Sequence, residues 1–172
     1  DIKRDMETAL TQNTTAVTGN SRTARQLRGL EGWIATNDDL GVGGASPDYV
    51  GNTAPTDGTQ RTFTEALLKS VLQAIWTQGG APDTIMLGGS QKQAFSGFTG
   101  GATRFDKSED KSVTAAVDVY ISDFGTLKVV PNRFQRARTV FILEMDKWKL
   151  AMLRPFHTNE LAKTGDSEKR QI

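Results

Sequence analysis

The chain of 172 residues contains no cysteine. That removes disulfides, thiol nucleophiles and thiolate metal sites together, and it fits a reducing compartment. Histidine is almost as scarce, with His157 the only one. Net charge is nearly absent as well: 21 Lys plus Arg stand against 20 Asp plus Glu, a formal +1. No global field therefore draws in nucleic acid or an acidic membrane. No apolar run approaches the roughly 20 residues that cross a bilayer, and the first residues lack the basic-then-apolar order of a signal peptide. The expectation is a soluble chain with no membrane partner and no cofactor.

What is present divides the chain by composition into four parts, within a length sufficient for one domain with a sizeable core, or one such domain plus fragments of a second. No internal repeat is visible. Ile2, Met6, Ala9 or Leu10 and Val17 recur at helical spacing, which predicts a helix from Asp1 to about Val17 that is joined partway along, with a break at Thr18-Gly19-Asn20-Ser21. The closing residues 160–172 follow a dense apolar hairpin pattern and stop in mid-pattern, so the chain is expected to be a piece of something larger. A second short helix is expected over residues 23–30, leading into Trp33 and Ile34. Residues 36–60 are rich in Gly, Asn, Asp, Thr and Pro, with only Leu40, Val42, Tyr49 and Val50 to bury. Such a stretch exceeds the usual loop length and is expected to be mobile or ordered by a partner.

The third part alternates helix and strand. Thr62 with Glu65 reads as a capping box, Gly79 as a left-handed stop, and Phe63, Leu67, Leu68, Val71, Leu72, Ile75 and Trp76 as a broad apolar stripe between them. Thr84-Ile85-Met86-Leu87 is a short apolar strand, and Gly88-Gly89 turns it into a second capping box, Ser90 to Gln93, with Phe95 and Phe98 inward. The fourth part is strand-rich: residues 117–122, a turn at Asp123-Phe124-Gly125, then residues 127–130, 140–144 and 148–153. At least two hairpins on a helix-backed sheet follow, and the fold class is α+β.

Several local patterns resemble chemistry. Gly88-Gly89-Ser90 joins a strand to a helix start, where free backbone N–H groups could hold a phosphate or carboxylate. It lacks the Gly-Lys-Ser/Thr of a nucleotide loop and the spaced glycines of a dinucleotide loop, so a tight structural turn is the favoured reading. Asp123-Phe124-Gly125 spells the kinase metal triplet, yet no glycine-rich loop precedes it and no His-Arg-Asp accompanies it, which leaves a hairpin turn. His157 would need an activated Ser or Thr and an orienting acid to act as a base, and the order of residues assembles no such set. As a zinc ligand it would have only carboxylates for company.

The carboxylates Asp1, Asp5, Glu7, Asp38, Asp39, Asp106, Glu109 and Asp110 are scattered and read as solvated surface. Arg133, Arg136 and Arg138 form the densest basic cluster, with Arg104, Lys107 and Lys111 a looser one. Inter-subunit salt bridges explain them better than phosphate contacts. Asn13-Thr14-Thr15 fits the glycosylation pattern but predicts nothing at the end of a helix in such a chain. No catalytic, cofactor-binding or metal-binding residue is assigned. Good burial signals without a reactive constellation favour a structural role.

Longer runs carry a resemblance. Gly80-Ala81-Pro82-Asp83-Thr84-Ile85-Met86, residues 117–133, Leu153-Arg154-Pro155-Phe156 and residues 160–166, with Ala24-Arg25 and Trp33-Ile34-Ala35-Thr36-Asn37 near the start, resemble a family of major capsid proteins of tailed phages and prophages. That family has the Hong Kong 97-type capsid fold. The resemblance implies part of a peripheral domain over residues 1–35, with the later part of its long spine helix from Asp1 to about Val17, an axial domain over residues 36–150, and a return into the peripheral domain over residues 151–172. Residues 36–60 or 99–111 would lie near a capsomer axis. The family's N-terminal arm and extended loop would precede Asp1, and its closing strands would follow Ile172.

The implied function is geometric: a non-enzymatic subunit packs with copies of itself into pentamers and hexamers, around DNA that it touches without reading its sequence. Its place would be the virion capsid, assembled in the cytoplasm of a bacterial host. The main alternative is a small hydrolase or transferase with a site near Gly88 to Ser90 and His157, which a deep pocket joining those segments would favour. A nucleic-acid-binding module is the third reading, and it needs Arg133, Arg136 and Arg138 on one open basic face.

Overall fold

Thr84-Ile85-Met86-Leu87 forms the interior strand β1 (Thr84–Leu87) of a four-stranded sheet in the computed structural model, which describes residues 2–98, 119–152, 159–160 and 170–171. Its nearly unbroken apolar run fits a strand covered on both faces, with Ile85 and Leu87 fully buried and Thr84 and Met86 half-buried. The sheet also contains β2 (Val119–Ser122), β3 (Gly125–Pro131) and β4 (Val140–Leu143), in the order β2-β3-β1-β4. β1 runs parallel to β3 and antiparallel to β4, and β2 and β3 form an antiparallel hairpin. A separate antiparallel pair joins β5 (Asn159–Glu160) to β6 (Arg170–Gln171).

Register sets the core. Ile85 lies opposite both Val129 and Ile142, Leu87 opposite Val140, and Tyr120 opposite Leu127, so these side chains share one face of the sheet. Helices α2 (Glu65–Thr77) and α3 (Gly89–Ser96) supply Leu68, Leu72 and Phe95 to the same buried cluster. Each such side chain contributes roughly 1.5–3 kcal/mol on burial. The rings of Phe63, Phe95, Phe98 and Tyr120 continue the cluster, with centroids 5.2 to 5.6 Å apart along the chain of contacts.

Helix α2 stops as its sequence requires. Gly79 takes φ +84°, its N–H donates to the Trp76 carbonyl, and the N–H of Gly80 donates to Ile75, the paired bonds of a Schellman stop. Its start is shifted by two residues from expectation. Thr64, not Thr62, is the cap, with an extended backbone and an oxygen accepting from Leu67 N–H at 3.4 Å. Two threonines of equal capping chemistry flank Phe63, and the packing of Phe63 on Phe98 decides between them.

The N-terminal third departs further. Helix α1 (Ile2–Thr11) ends well short of Val17, where the Thr11 hydroxyl comes within 3.0 Å of the Glu7 carbonyl and 3.1 Å of the Phe134 carbonyl. The helix expected over residues 23–30 is absent, because its backbone bonds elsewhere: Gln26 exchanges two bonds with Val17, and Gly29 N–H donates to Thr14. Only a single 3-10 turn, Leu30–Gly32, follows. Helical periodicity in so short a run could not register that its donors face another segment.

Residues 36–60 are ordered by their own chain. Ala45 pairs with Thr56 and Asp48 with Thr53, each through reciprocal backbone bonds of 2.8 to 3.1 Å, so the segment contains a hairpin. The second sequential hairpin is not formed. β4 pairs with β1, and no strand occurs over residues 148–152, the described part of the expected strand. The Asp83 carboxylate accepts from Met145 N–H at 3.2 Å, fixing a 3-10 turn, Met145–Lys147, that directs the chain away from β4.

Gly29 is needed where residues 12–14 cross it, since a Cβ there would fall 1.7 Å from the Gln12 carbonyl oxygen. Gly29→Ala is expected to cost about 3 kcal/mol. Gly89→Ala, with no atom within 4 Å of its Cβ position, should change stability by less than about 1 kcal/mol. Urea unfolding midpoints of the two variants test this; equal midpoints would refute the close crossing.

Candidate functional site

The glycine turn is structural. Gly88 is buried and caps α3 through its backbone, its carbonyl accepting from Lys92 N–H at 2.9 Å, with no side-chain cap. A Cβ on it would approach Gln91 Oε1 to 2.8 Å and Ala137 Cα to 3.8 Å. The Ala137 contact is ordinary and the Gln91 amide can turn aside, so the place of Gly88 is set by its backbone role at the start of α3 and not by lack of room. The expected box from Ser90 to Gln93 is not made: Ser90 is already helical, and its hydroxyl donates to Gln91 Oε1 at 3.1 Å. His157 lies outside the described residues. So do Asp1, Arg104, Asp106, Lys107, Glu109, Asp110 and Lys111.

Asp123-Phe124-Gly125 is the expected hairpin turn. Ser122 pairs with Gly125 across it, and the Ser122 hydroxyl donates to the Gly125 carbonyl at 2.8 Å. Phe124 packs on Trp76 of α2 with centroids 5.3 Å apart. Among the described residues, no group of three or more His, Asp or Glu is placed to hold a metal ion.

The arginine cluster is divided by the fold. Arg133 and Arg138 are exposed and Arg136 is half-buried, and both Arg136 and Arg138 bond to their own chain. Arg136 Nη1 lies 2.5 Å from Glu31 Oε2, and its Nη2 pairs with Asp57. Arg138 reaches the same Asp57 oxygen at 3.3 Å and donates to the Gly58 carbonyl at 2.6 Å. The Thr139 hydroxyl donates to the other Glu31 oxygen at 2.8 Å. Two cations and two carboxylates thus join three segments distant in sequence. These are intrachain bridges where inter-subunit ones were expected, and the open basic face required for a nucleic-acid module is not formed.

Electrostatics follow from burial. Burial pushes the Glu31 carboxyl above the ordinary range, against the Thr139 hydroxyl and the charge of Arg136, which favour the ionised form. Burial also opposes the charge on Arg136, but its bonds to Asp57 and Glu31 outweigh this and hold its pKa above the usual guanidinium value. Sequence reasoning missed Glu31 and Asp57, which lie 105 and 79 residues from Arg136. No local spacing could have paired them.

Beside this network is a cavity of about 410 Å³ between α2, β4 and residues 31–61. Ile34, Leu40, Val71, Ile75 and Ile142 line its apolar side; Asp39, paired with Arg61, lies on the polar side. Ser90 borders it, but bonded to an amide that cannot act as a base. The arrangement can pack and orient; the Thr139 hydroxyl it sets against a carboxylate meets a Glu31 already held by Arg136. Large apolar side chains also reach the surface, with Trp33, Tyr49 and Trp76 each more than half exposed and Val50 86% exposed.

A family model described as SU10 major capsid protein matches residues 1–172, the whole chain. No curated protein matches the sequence.

Two predictions come from the arginine network. Arg136→Ala leaves Glu31 and Asp57 short of their shared cation and should cost about 3 kcal/mol, whereas Arg138→Ala, whose side chain is twice as exposed, should cost about 1 kcal/mol or less. Calorimetric melting compares them, and a larger loss from Arg138→Ala would contradict the assignment. For pH, the raised Glu31 carboxyl contributes stability that is full below its unfolded value and is lost as pH rises through the folded value. Acidification from neutral pH should therefore stabilise the native protein relative to Glu31→Gln, read as the difference in their urea midpoints. A difference moving the other way would show that the ion pair, not burial, governs Glu31.

Proposed function

The chain belongs to the SU10 major capsid protein family, and on that premise we propose that it is a shell subunit packing with its own copies into pentamers and hexamers. Membership bears out the resemblance to tailed-phage and prophage major capsid proteins, and it establishes the general role as a structural one in the virion. The observation that carries the proposal is that the family match spans the chain without interruption, including the glycine- and threonine-rich residues 36–60.

In this reading no residue performs chemistry. Residues 1–35 belong to the peripheral domain, with α1 in its spine helix; residues 36–150 form the axial domain; and residues 151–172 return to the peripheral domain. Intrachain bonds cross the first boundary at Thr11 to Phe134, Arg28 to Asn52 and Glu31 to Arg136, which supports the two parts moving as one wedge. Rigidity of that kind is what ring closure asks of a subunit, because angular error accumulates around the ring. Assembly takes place in the bacterial cytoplasm. Contact with packaged DNA is backbone-directed and independent of sequence.

No helix among the described residues is long and apolar enough to cross a membrane. The hydrolase or transferase alternative gains no support from the packed Gly88 turn or from Ser90 bonded to Gln91.

Expression of the complete reading frame that contains this chain, followed by native mass measurement and electron imaging of one sample, tests the proposal. Closed shells, or discrete pentamers and hexamers, are expected. A monomer that persists across protein concentration and salt would refute it.

A further inference from the structure

Arg28 is a buried cation with an unusual set of partners. It is only 7% exposed, and it donates to the Gly32 carbonyl at 3.3 Å, the Tyr49 carbonyl at 3.0 Å and Asn52 Oδ1 at 2.9 Å. None of these is a carboxylate, and its buried Nε has no partner among the described residues. Burying a guanidinium without a counter-charge is costly, so the fold retains it for something other than its own stability. Its plane lies 4.9 Å from the centroid of the Trp33 ring, a cation–π contact that holds a half-exposed tryptophan in place.

The turn beside it is equally well supported. Asn52, with φ +54°, exchanges two bonds with the backbone of Ala16 at 2.8 and 3.1 Å while also receiving Arg28. Tyr49 and Val50 are presented at the tip of this braced turn, where Gly, Asn or Asp would ordinarily stand. An aromatic and a β-branched side chain on a rigid support thus leave more than half of their surface open, Tyr49 at 55% and Val50 at 86%. Rigid Trp and Tyr anchors beside an Arg are the composition of an interface hot spot, and fixing them beforehand lowers the entropy cost of binding.

A second patch lies at the C-terminal end of α2. Ile75 faces the cavity on the β4 side, whereas the next residue, Trp76, packs on Phe124 at the β2–β3 turn. Exposed Asp123 adds a negative charge there, and Lys69, within electrostatic reach, is already paired with Glu65 at 2.9 Å. One aromatic patch is therefore backed by an uncompensated cation and the other is edged by a carboxylate. A head-to-tail ring requires such a pair of different, complementary surfaces on a single chain.

We propose that Trp33, Tyr49 and Val50 form a contact surface for a second copy of this chain, which docks its Asp123-Phe124 turn and Trp76 against them. The inference rests on the shell-subunit reading above and adds which surfaces meet. Residues 1–172 contain no cysteine, so an introduced thiol meets no competing thiol within them, and wild-type particles treated in parallel report any other. In the complete shell protein, we would make Val50→Cys, Asp123→Cys and the double variant, and treat assembled particles with a short bis-maleimide.

The double variant should give a ladder of dimers, trimers and higher rungs on a denaturing gel, and an equal mixture of the two single variants should give dimers only. Each single variant alone should stay monomeric on that gel. Wild-type particles that form while neither the double variant nor the mixture crosslinks would overturn the proposal. Crosslinking of Val50→Cys to itself would also overturn it, by showing a two-fold contact. Failure of the wild-type protein to assemble, seen by native mass before crosslinker is added, would remove the shell-subunit reading itself and is thus distinguishable.

Discussion

Arg136 holds the N-terminal third of the described chain to the sheet. Its guanidinium lies between Glu31, beside the 3-10 turn, and Asp57, at the foot of the 45–56 hairpin, while its own backbone passes against Gly88 at the end of β1. The segments it joins have little apolar surface of their own. Residues 36–60 could not support themselves by hydrophobic burial, and their order depends on a neutral cluster of two arginines and two carboxylates whose charges satisfy one another. The cavity beneath the cluster shows that packing there is incomplete and that polar contacts take over from close packing.

Elements with a strong local pattern were legible in the sequence. The stripe from Phe63 to Trp76, the stop at Gly79, the apolar run of β1 and the turn at Asp123-Phe124 all depend on residues within a few positions of one another. The structure reproduces each, apart from the two-residue shift of the α2 cap. Apart from the Ser90 to Gln93 box, what failed were elements whose backbone bonds go to distant partners. Residues 23–30 carry a weak helical pattern yet pair with residues 14–17, and the 148–152 segment has strand-like composition without a strand to pair with. Of the candidate site, Arg136 and Arg138 were legible as a cluster, but their partners were not, because charge separated by about a hundred residues leaves no local trace.

Function entered by a different route from the usual one. Each reactive-looking pattern within the described residues has a structural explanation: Gly88 for the start of α3, Ser122 for a turn, Arg136 for internal pairing. The sequence signals that mattered were long runs of family resemblance, and the match over the full chain agrees with them. In such a protein specificity resides in shape and in which surfaces are held rigid, so the braced turns carry more functional meaning than the titratable groups.

The long reach of the Glu31 to Arg136 contact also constrains how the chain is made. During synthesis residues 1–60 leave the ribosome ahead of both the sheet and the arginines that organise them, and more than a hundred residues separate the two ends of the Glu31 to Arg136 contact. Such non-local closure is slow. The N-terminal segment must therefore stay unfolded and accessible until residues 134–139 emerge, when it closes onto a sheet already nucleated by α2, β1 and α3. Residues 14–57 are thus open to mispairing for as long as residues 134–139 have yet to appear.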